Sequence, residues 1–321
     1  MKTLKIQAYE AGKLRLEEAE LSPAGENEVT IETHYSSISP GTELAWVYHL
    51  ENTPGKFPFY PGYSNCGKII AVGDKVTGFK IGDSVAAPVS HWSHINANAN
   101  DCVLLPNDMD LKEASPYKVA AVAMHGINRA KVEIGDSVAV VGLGPIGNVA
   151  AQIALNVGTK EVFGFDLVES RRIVAEKCGI KNTAADGTLE AYDSRFNVVI
   201  EVTGNPQAIK TAMKLVAKAG KVILLGSSRG VTENVDFYKD VHCKGCAIIG
   251  AHTWAPCPYY NTNVQERQKI ECEMTIQMLK EKKITFNPLI SEVFEPKNAQ
   301  SMYDRLMARN EPLLLAAYKW K

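Results

Sequence analysis

Three glycines, Gly142, Gly144 and Gly147, stand in the spacing Gly-x-Gly-x-x-Gly. An apolar run, Ser137–Val141, leads into them, and a helical pattern rich in Ala, Ile and Leu follows. The chemistry this spacing supports is that of an exposed backbone. The first glycine permits a tight turn, the second lets a pyrophosphate approach the main chain, and the third lets helix and strand pack closely. Pro145 falls in the first helical turn, where a missing N–H costs little, and Ile146 completes the loop. Free N–H groups and the positive end of the helix dipole then face the phosphates. Asp166 ends a second apolar run, 19 residues past Gly147. A carboxylate there can accept both ribose hydroxyls of NAD and repels a 2′-phosphate, so NAD(H) is expected over NADP(H). Arg171, one turn later, lies over an adenine or, against Asp166, admits a 2′-phosphate. Thr203-Gly204 and Gly226-Ser227 end two further strand-like runs and are expected to border the nicotinamide.

The rest of the chain must position this stretch. At 321 residues it suits two domains more naturally than one. A 45% hydrophobic and 22% charged composition with a formal net charge of −1 gives no basic field for nucleic acid or an anionic membrane. No apolar run approaches a membrane span, and the first residues lack a signal-peptide core. Seven cysteines without a repeating framework suggest reduced thiols in a cytoplasm.

Residues 1–110 read as β-rich. Strand-like alternation at 4–8, 13–16 and 28–35, then runs at 67–72, 83–87 and 102–105, are separated by Gly and Pro turns such as Pro54-Gly55. Residues 91–99 read as a polar loop. Such short strands suggest a compact barrel-like domain. From Ala114 the period changes: helix 118–130, the glycine unit, helix 169–178, strand 197–202, helix 206–218, and strands 221–225 and 245–250. Strand alternating with helix predicts a parallel, doubly wound sheet covered on both faces. A loop at 253–263 carrying prolines and aromatics, a helix at 265–282, a strand at 289–294 and a helix at 297–309 follow.

The order of parts resembles the medium-chain dehydrogenase/reductase superfamily, the zinc-type alcohol dehydrogenases and their relatives. The likeness rests on Val72-Gly73, Gly82-Asp83, Gly135-Asp136, the Gly-Leu-Gly-Pro-Ile-Gly run and Val-Val-Ile-Glu-Val-Thr-Gly at 198–204. It implies a GroES-like barrel (1–119), a Rossmann domain (120–252), a C-terminal segment (253–321) returning to the first domain, an active site in the cleft, and a homodimer. The motifs that carry zinc ligands in that family depart here. Pro40-Gly41-Thr42-Glu43 has proline for cysteine, Gly62-Tyr63-Ser64 has Tyr-Ser for His-Glu, and the third ligand position falls near Lys118. One cysteine, Cys102, stands where a structural zinc lobe is expected. No zinc is predicted at either place. His242, Cys243 and Cys246, with His252 and Cys257, suggest a metal site, but a strand at 245–250 would point residues three apart to opposite faces.

Chemistry without a metal needs a partner for the hydroxyl proton. Thr42 falls on the family's proton-relay position or caps a short helix at 42–50, and Glu43 is a first-turn acid or a cleft carboxylate. Tyr63 stands where a ligand histidine would point, with Lys118 as a cation to lower its pKa. His94 lies near the family's substrate mouth, and His125 reads as a packing residue. Trp46, Tyr60 and Trp254 fall at substrate-pocket positions. The resulting expectation is a cytoplasmic, zinc-independent oxidoreductase interconverting a secondary alcohol and a ketone. The Ser-Pro-Gly-Thr-Glu and Pro-Gly-Tyr turns resemble the branch containing hydroxyethyl bacteriochlorophyllide dehydrogenase. The alternatives are a quinone or enone reductase and a non-catalytic NAD(H)-binding redox sensor.

Overall fold

The computed structural model describes all residues except 54, 186–189, 258–259 and 311. Pro54 of the Pro54-Gly55 turn, and Pro258 and Tyr259 of the predicted 253–263 loop, therefore lie outside the described residues. Among the described residues the chain runs β1 (Lys2–Glu10), β2 (Lys13–Glu20), β3 (Glu28–Ile38), α1 (Thr42–Val47), β4 (Asn65–Val72), β5 (Ser84–Ala87), β6 (His94–Asn98) and β7 (Val103–Leu104). Then come α2 (Leu111–Ala114), α3 (Tyr117–Ala130), β8 (Ser137–Val141), α4 (Pro145–Val157), β9 (Glu161–Phe165), α5 (Glu169–Lys177) and β10 (Asn182–Ala184). Next are β11 (Phe196–Glu201), α6 (Ala208–Leu215), β12 (Val216–Leu224) and β13 (Ala247–Gly250). The chain ends with α7 (Val264–Lys280), β14 (Ile290–Phe294), α8 (Ala299–Ala308) and β15 (Leu315–Lys319).

Two compact units result. The first holds Met1–Lys118, Cys272–Lys280 and Leu289–Lys321. Its main sheet runs β14-β15-β3-β4-β5-β7, with β6 also paired to β3, and β1 and β2 form a separate hairpin. Every pair in this unit is antiparallel except β14 with β15. Apolar side chains of β1 (Ile6, Ala8), α1 (Leu44, Val47), α8 (Met302, Tyr303, Leu306) and β15 (Tyr318) share one core. Val29, Ile31, Ile69, Val85 and Ile95 form another. The predicted loop at 91–99 contains β6: its polar residues face outward while Ile95 and Ala97 bury, and its backbone pairs with β3.

The second unit holds Val119–Glu271 and Glu281–Pro288. Its sheet is wholly parallel, ordered β10-β9-β8-β11-β12-β13, so the strand order reverses between β8 and β11. β8 is buried along its whole length, which is why its sequence is an unbroken small-apolar run rather than an alternating one. α4 starts at Gly144 with Pro145 in its first turn and stops at Gly158, whose φ of 91° is the left-handed cap. α6 is shorter than the periodicity predicts. The chain turns extended at Val216, which is fully buried and pairs with Phe196 at the start of β12.

Candidate functional site

The dinucleotide cradle is built in the second unit, at the carboxyl ends of β8 and β11, where the strand order reverses. Gly142 takes φ +99°, and a Cβ there would meet Thr203 at 2.9 Å. At Gly147 a Cβ would lie 1.8 Å from the Gly142 carbonyl oxygen, so only glycine fits. Gly144 is the opposite case: a Cβ would meet nothing within 4 Å. The backbone is bare there because the space in front of the helix start is open. Pro145 and Ile146 are partly exposed in the same turn.

Asp166, 9% exposed, closes the cradle from the end of β9. Its Oδ2 accepts from the Leu143 N–H (2.8 Å) and from Arg171 (3.4 Å), and its Oδ1 accepts from the Val168 N–H (2.9 Å). The carboxylate is thus fixed against the glycine turn, with Arg171 on it as an ion-pair partner. Beyond β11, Thr203 is exposed and Gly204 has φ +74°; a Cβ on Gly204 would sit 3.3 Å from the Ser227 carbonyl oxygen. Gly226 packs on the backbone of Val202. Glu201, which sequence reading did not single out, holds this edge. Fully buried, it accepts from the Thr203 N–H (2.7 Å) and hydroxyl (2.5 Å) through Oε1. Burial raises its pKa, against those hydrogen bonds. These residues fit a nicotinamide dinucleotide: an uncovered helix start for phosphates and a placed carboxylate for a ribose.

A second constellation lies in the first unit. α1 begins directly after Gly41, and Thr42 does not cap it. The Tyr63 phenol is buried, and Glu43, Ser39 and Thr42 act on its protonation. Burial, then Glu43, push its pKa up to about 12, with Ser39 and Thr42 pulling the other way. Glu43 is 3% exposed. It accepts from the Ser39 N–H (2.7 Å), His91 Nε2 (2.9 Å) and the Tyr303 hydroxyl (2.6 Å). Fully buried His91 also bonds the Ser36 hydroxyl through Nδ1 (2.8 Å). Gly62, at φ +101°, makes room for it, since a Cβ would lie 2.7 Å from the imidazole.

Thr42, Glu43 and Tyr63 therefore come together. Lys118, the cation expected beside Tyr63, donates to Cys272 Sγ (3.8 Å), and the phenol's pKa is raised rather than lowered. His94 sits on β6 beside Ser93 (3.2 Å) and Glu32 (3.9 Å), where burial lowers its pKa. Trp46 is 44% exposed on α1, edge-on to Phe59. Tyr60 donates to Glu17 (2.8 Å) and stacks edge-on against Trp92. Trp254, 60% exposed, belongs to the second unit. His125 Nδ1 lies 3.1 Å from Glu271 and 2.7 Å from Arg267 in a buried network, while its buried Nε2 has no hydrogen-bond partner among the described residues, so the expected packing residue is only half satisfied.

Two family models match the chain. The alcohol dehydrogenase GroES-like domain matches residues 25–114 and the zinc-binding dehydrogenase model matches residues 145–263. The chain belongs to the medium-chain dehydrogenase/reductase superfamily. It is 29% identical over 230 residues to a D-guloside 3-dehydrogenase of Shigella flexneri, a match covering 68% of this chain and 65% of that protein. It thus spans just under two thirds of that relative's length. Among solved structures, a Sinorhizobium meliloti 1021 protein assigned as a zinc-binding dehydrogenase and bound to NADP has a TM-score of 0.85 at 16% identity, over 99% of both chains. An Escherichia coli CFT073 protein described as a short chain alcohol dehydrogenase, complexed with NADH, has a TM-score of 0.83 at 17% identity, again over 99% of both. These likenesses carry the fold.

Zinc, which the second model's description names, does not fit the side chains at the ligand motifs. Pro40 has no donor atom, Tyr63 is a phenol held protonated, Ser64 donates to the Ser115 carbonyl (2.6 Å), and Lys118 is a cation. Among the described residues no three His, Cys, Asp or Glu side chains form a group able to hold a metal. The expectation for 245–250 needs one correction: β13 begins at Ala247, so Cys243 and Cys246 lie in a turn after a π-helical segment, not on a strand. There Cys246 Sγ points to the Asp240 carbonyl and His242 stacks on Tyr238. No helix among the described residues is long and apolar enough to cross a membrane.

Proposed function

We propose that this protein is an NAD(H)-preferring oxidoreductase that interconverts a secondary alcohol and a ketone without catalytic zinc. The observation that carries the reading is that Tyr63 and Thr42 stand at the sequence positions where the superfamily resemblance expects a metal ligand and a hydroxyl relay, with Thr42 acting on the buried phenol. Bound NAD(H) supplies the hydride chemistry. Gly142, Gly144 and Gly147 hold its pyrophosphate, Asp166 its adenine ribose, and Thr203 and Gly204 border its nicotinamide. Tyr63 offers its O–H to the substrate oxygen, polarising it as a metal would, while Thr42 orients the phenol and relays the hydroxyl proton. The relative's name, a dehydrogenase of a guloside, supports a small alcohol or carbonyl substrate. We further propose a cytoplasmic homodimer, as the superfamily resemblance implies.

The test combines NADH and NADPH titration by fluorescence, metal analysis of the same sample, and turnover of Tyr63→Phe on a panel of polyols and ketones. The reading expects tighter NADH binding, substoichiometric zinc, and a loss of about 10²-fold or more in turnover with cofactor binding intact. Stoichiometric zinc, or Tyr63→Phe with undiminished turnover, overturns it.

A further inference from the structure

Glu201 closes β11 in the middle of the parallel sheet, in register with Val141 on one side and Leu224 on the other. Its main chain and its side chain serve different loops. The carbonyl oxygen accepts from the Leu225 and Gly226 N–H groups (both 3.0 Å), which fixes the turn after β12. Oε1 takes the Thr203 N–H and hydroxyl, and Thr203 Oγ1 in turn takes the Asn205 N–H (2.9 Å). Asn205 Oδ1 then accepts from the Gln207 N–H (3.0 Å), just before α6. The two loops are tied together by the Arg229 N–H on the Gly204 carbonyl (3.1 Å). An exposed loop threonine ordinarily turns among three staggered rotamers. Thr203 lacks that freedom. Its hydroxyl is held inward on Oε1, and its methyl lies against the glycine turn, 2.9 Å from where a Cβ on Gly142 would stand. Stability alone does not select this arrangement. Glu201 is fully buried, and its Oε2 has no hydrogen-bond partner among the described residues. A buried polar atom without a partner costs free energy, and an apolar side chain of similar volume would fill the strand end without that cost.

We propose that Glu201 is a positioning residue for the nicotinamide end of the cofactor: its carboxyl group locks the Thr203 side chain in one rotamer, so that the ring meets a preset edge. This rests on the reading above in which Thr203 and Gly204 border the nicotinamide. Being fully buried, Glu201 acts through Thr203 rather than by touching the cofactor. A side chain immobilised before the ligand arrives removes an ordering cost from binding. The gain is local to the ligand atoms that lie at Thr203 and Gly204. The glycine turn does not depend on it, since the Gly142 N–H donates to the Phe165 carbonyl (2.7 Å) and the Leu143 N–H to Asp166 (2.8 Å). The pyrophosphate and adenine ribose therefore keep their sites whether or not Thr203 is held.

Calorimetric titration of the whole protein with NADH and with ADP-ribose, which lacks the nicotinamide, tests the assignment. Glu201→Met puts an apolar side chain of similar volume at the strand end. NADH affinity is then expected to fall about threefold to tenfold, with ADP-ribose affinity unchanged and no loss of thermal stability. Equal losses for the two ligands would mean that Glu201 only supports the fold, and no loss for either that it holds nothing the cofactor uses; both overturn the inference. Glu201→Gln keeps an oxygen for the two Thr203 donors and should recover the affinity lost in Glu201→Met, whereas a loss as large as that of Glu201→Met overturns the lock. Thr203→Val removes the hydroxyl and keeps the shape. In that background Glu201→Met should add little, because the group it acts through is gone; an undiminished effect overturns the route through Thr203. The functional reading fails separately, on stoichiometric zinc or on undiminished turnover in Tyr63→Phe, and neither result moves the comparison of the two ligands. A parent protein that does not bind NADH overturns both.

Discussion

At the scale of single residues, the proposed preference for NAD(H) rests on Asp166. Its two oxygens are pinned by the Leu143 and Val168 N–H groups, so the carboxylate cannot turn away from a ribose placed against it. Asp166→Asn keeps the shape and removes the charge. Hydrogen bonds to a charged acceptor contribute about 1.5–3 kcal/mol, so NADH affinity should fall about tenfold or more. NADPH affinity should rise as repulsion of the 2′-phosphate is lost and Arg171 is freed from its ion pair. Paired dissociation constants for the two cofactors check this, and an unchanged NADH/NADPH ratio would place the selectivity elsewhere. Asp166 was legible in the sequence because a fixed interval separates it from the glycines. His91 was not, because its partner Glu43 lies 48 positions away and only the fold brings them together. The contact of Lys118 with Cys272 was hidden for the same reason. Position on a helix is readable from sequence, but a partner on α7 is not.

Elements show a sharper contrast between glycines of one motif. Gly147→Ala would drive a methyl group into the Gly142 carbonyl oxygen and against Val202, two fixed neighbours. Such overpacking typically costs about 1–3 kcal/mol, and here it separates α4 from β8. Gly144→Ala meets no protein atom, so the fold should be untouched while a methyl group intrudes where the pyrophosphate lies. Thermal unfolding and NADH titration should therefore part company: Gly147→Ala lowers both, Gly144→Ala only the binding. A stability loss in Gly144→Ala would refute the open-space reading. The strands and helices of the second unit were readable because buried parallel strands are continuous apolar runs bounded by glycine. β15 was not read at all. Its form comes from pairing with β14 and with β3, the latter far away in the chain, rather than from any alternation of its own. That strand delivers Tyr318 to the His91 cluster, so the unread element and the unread residue belong together.

At the scale of the whole molecule, the first unit gathers phenols whose burial favours the protonated form. Tyr48, Tyr63, Tyr117, Tyr303 and Tyr318 are all raised, Tyr63 to about 12, and the buried Cys66 thiol is raised as well. In the unfolded chain these phenols release their protons near pH 10. Below that both states are protonated and pH has no effect through them. Between about pH 10 and 12 the unfolded state binds fewer protons than the folded one, so stability is lost as pH rises toward the folded values. Each fully buried phenol contributes a slope of about 1.4 kcal/mol per pH unit in that window, and several act together. Denaturant midpoints followed by tryptophan fluorescence should be flat from about pH 7 to 8, begin to fall near 9 as the unfolded chain's Cys66 thiol ionises, and fall steeply from 10 to 11. Trp46, Trp92 and Trp320 all lie in the first unit, so the signal reports mainly on it. Tyr63→Phe should make the fall shallower, because one proton fewer then distinguishes the two states. A midpoint unchanged between pH 9 and 11 would mean that these phenols ionise in the folded protein as readily as in water. The donor role assigned to Tyr63 would then lose its physical basis.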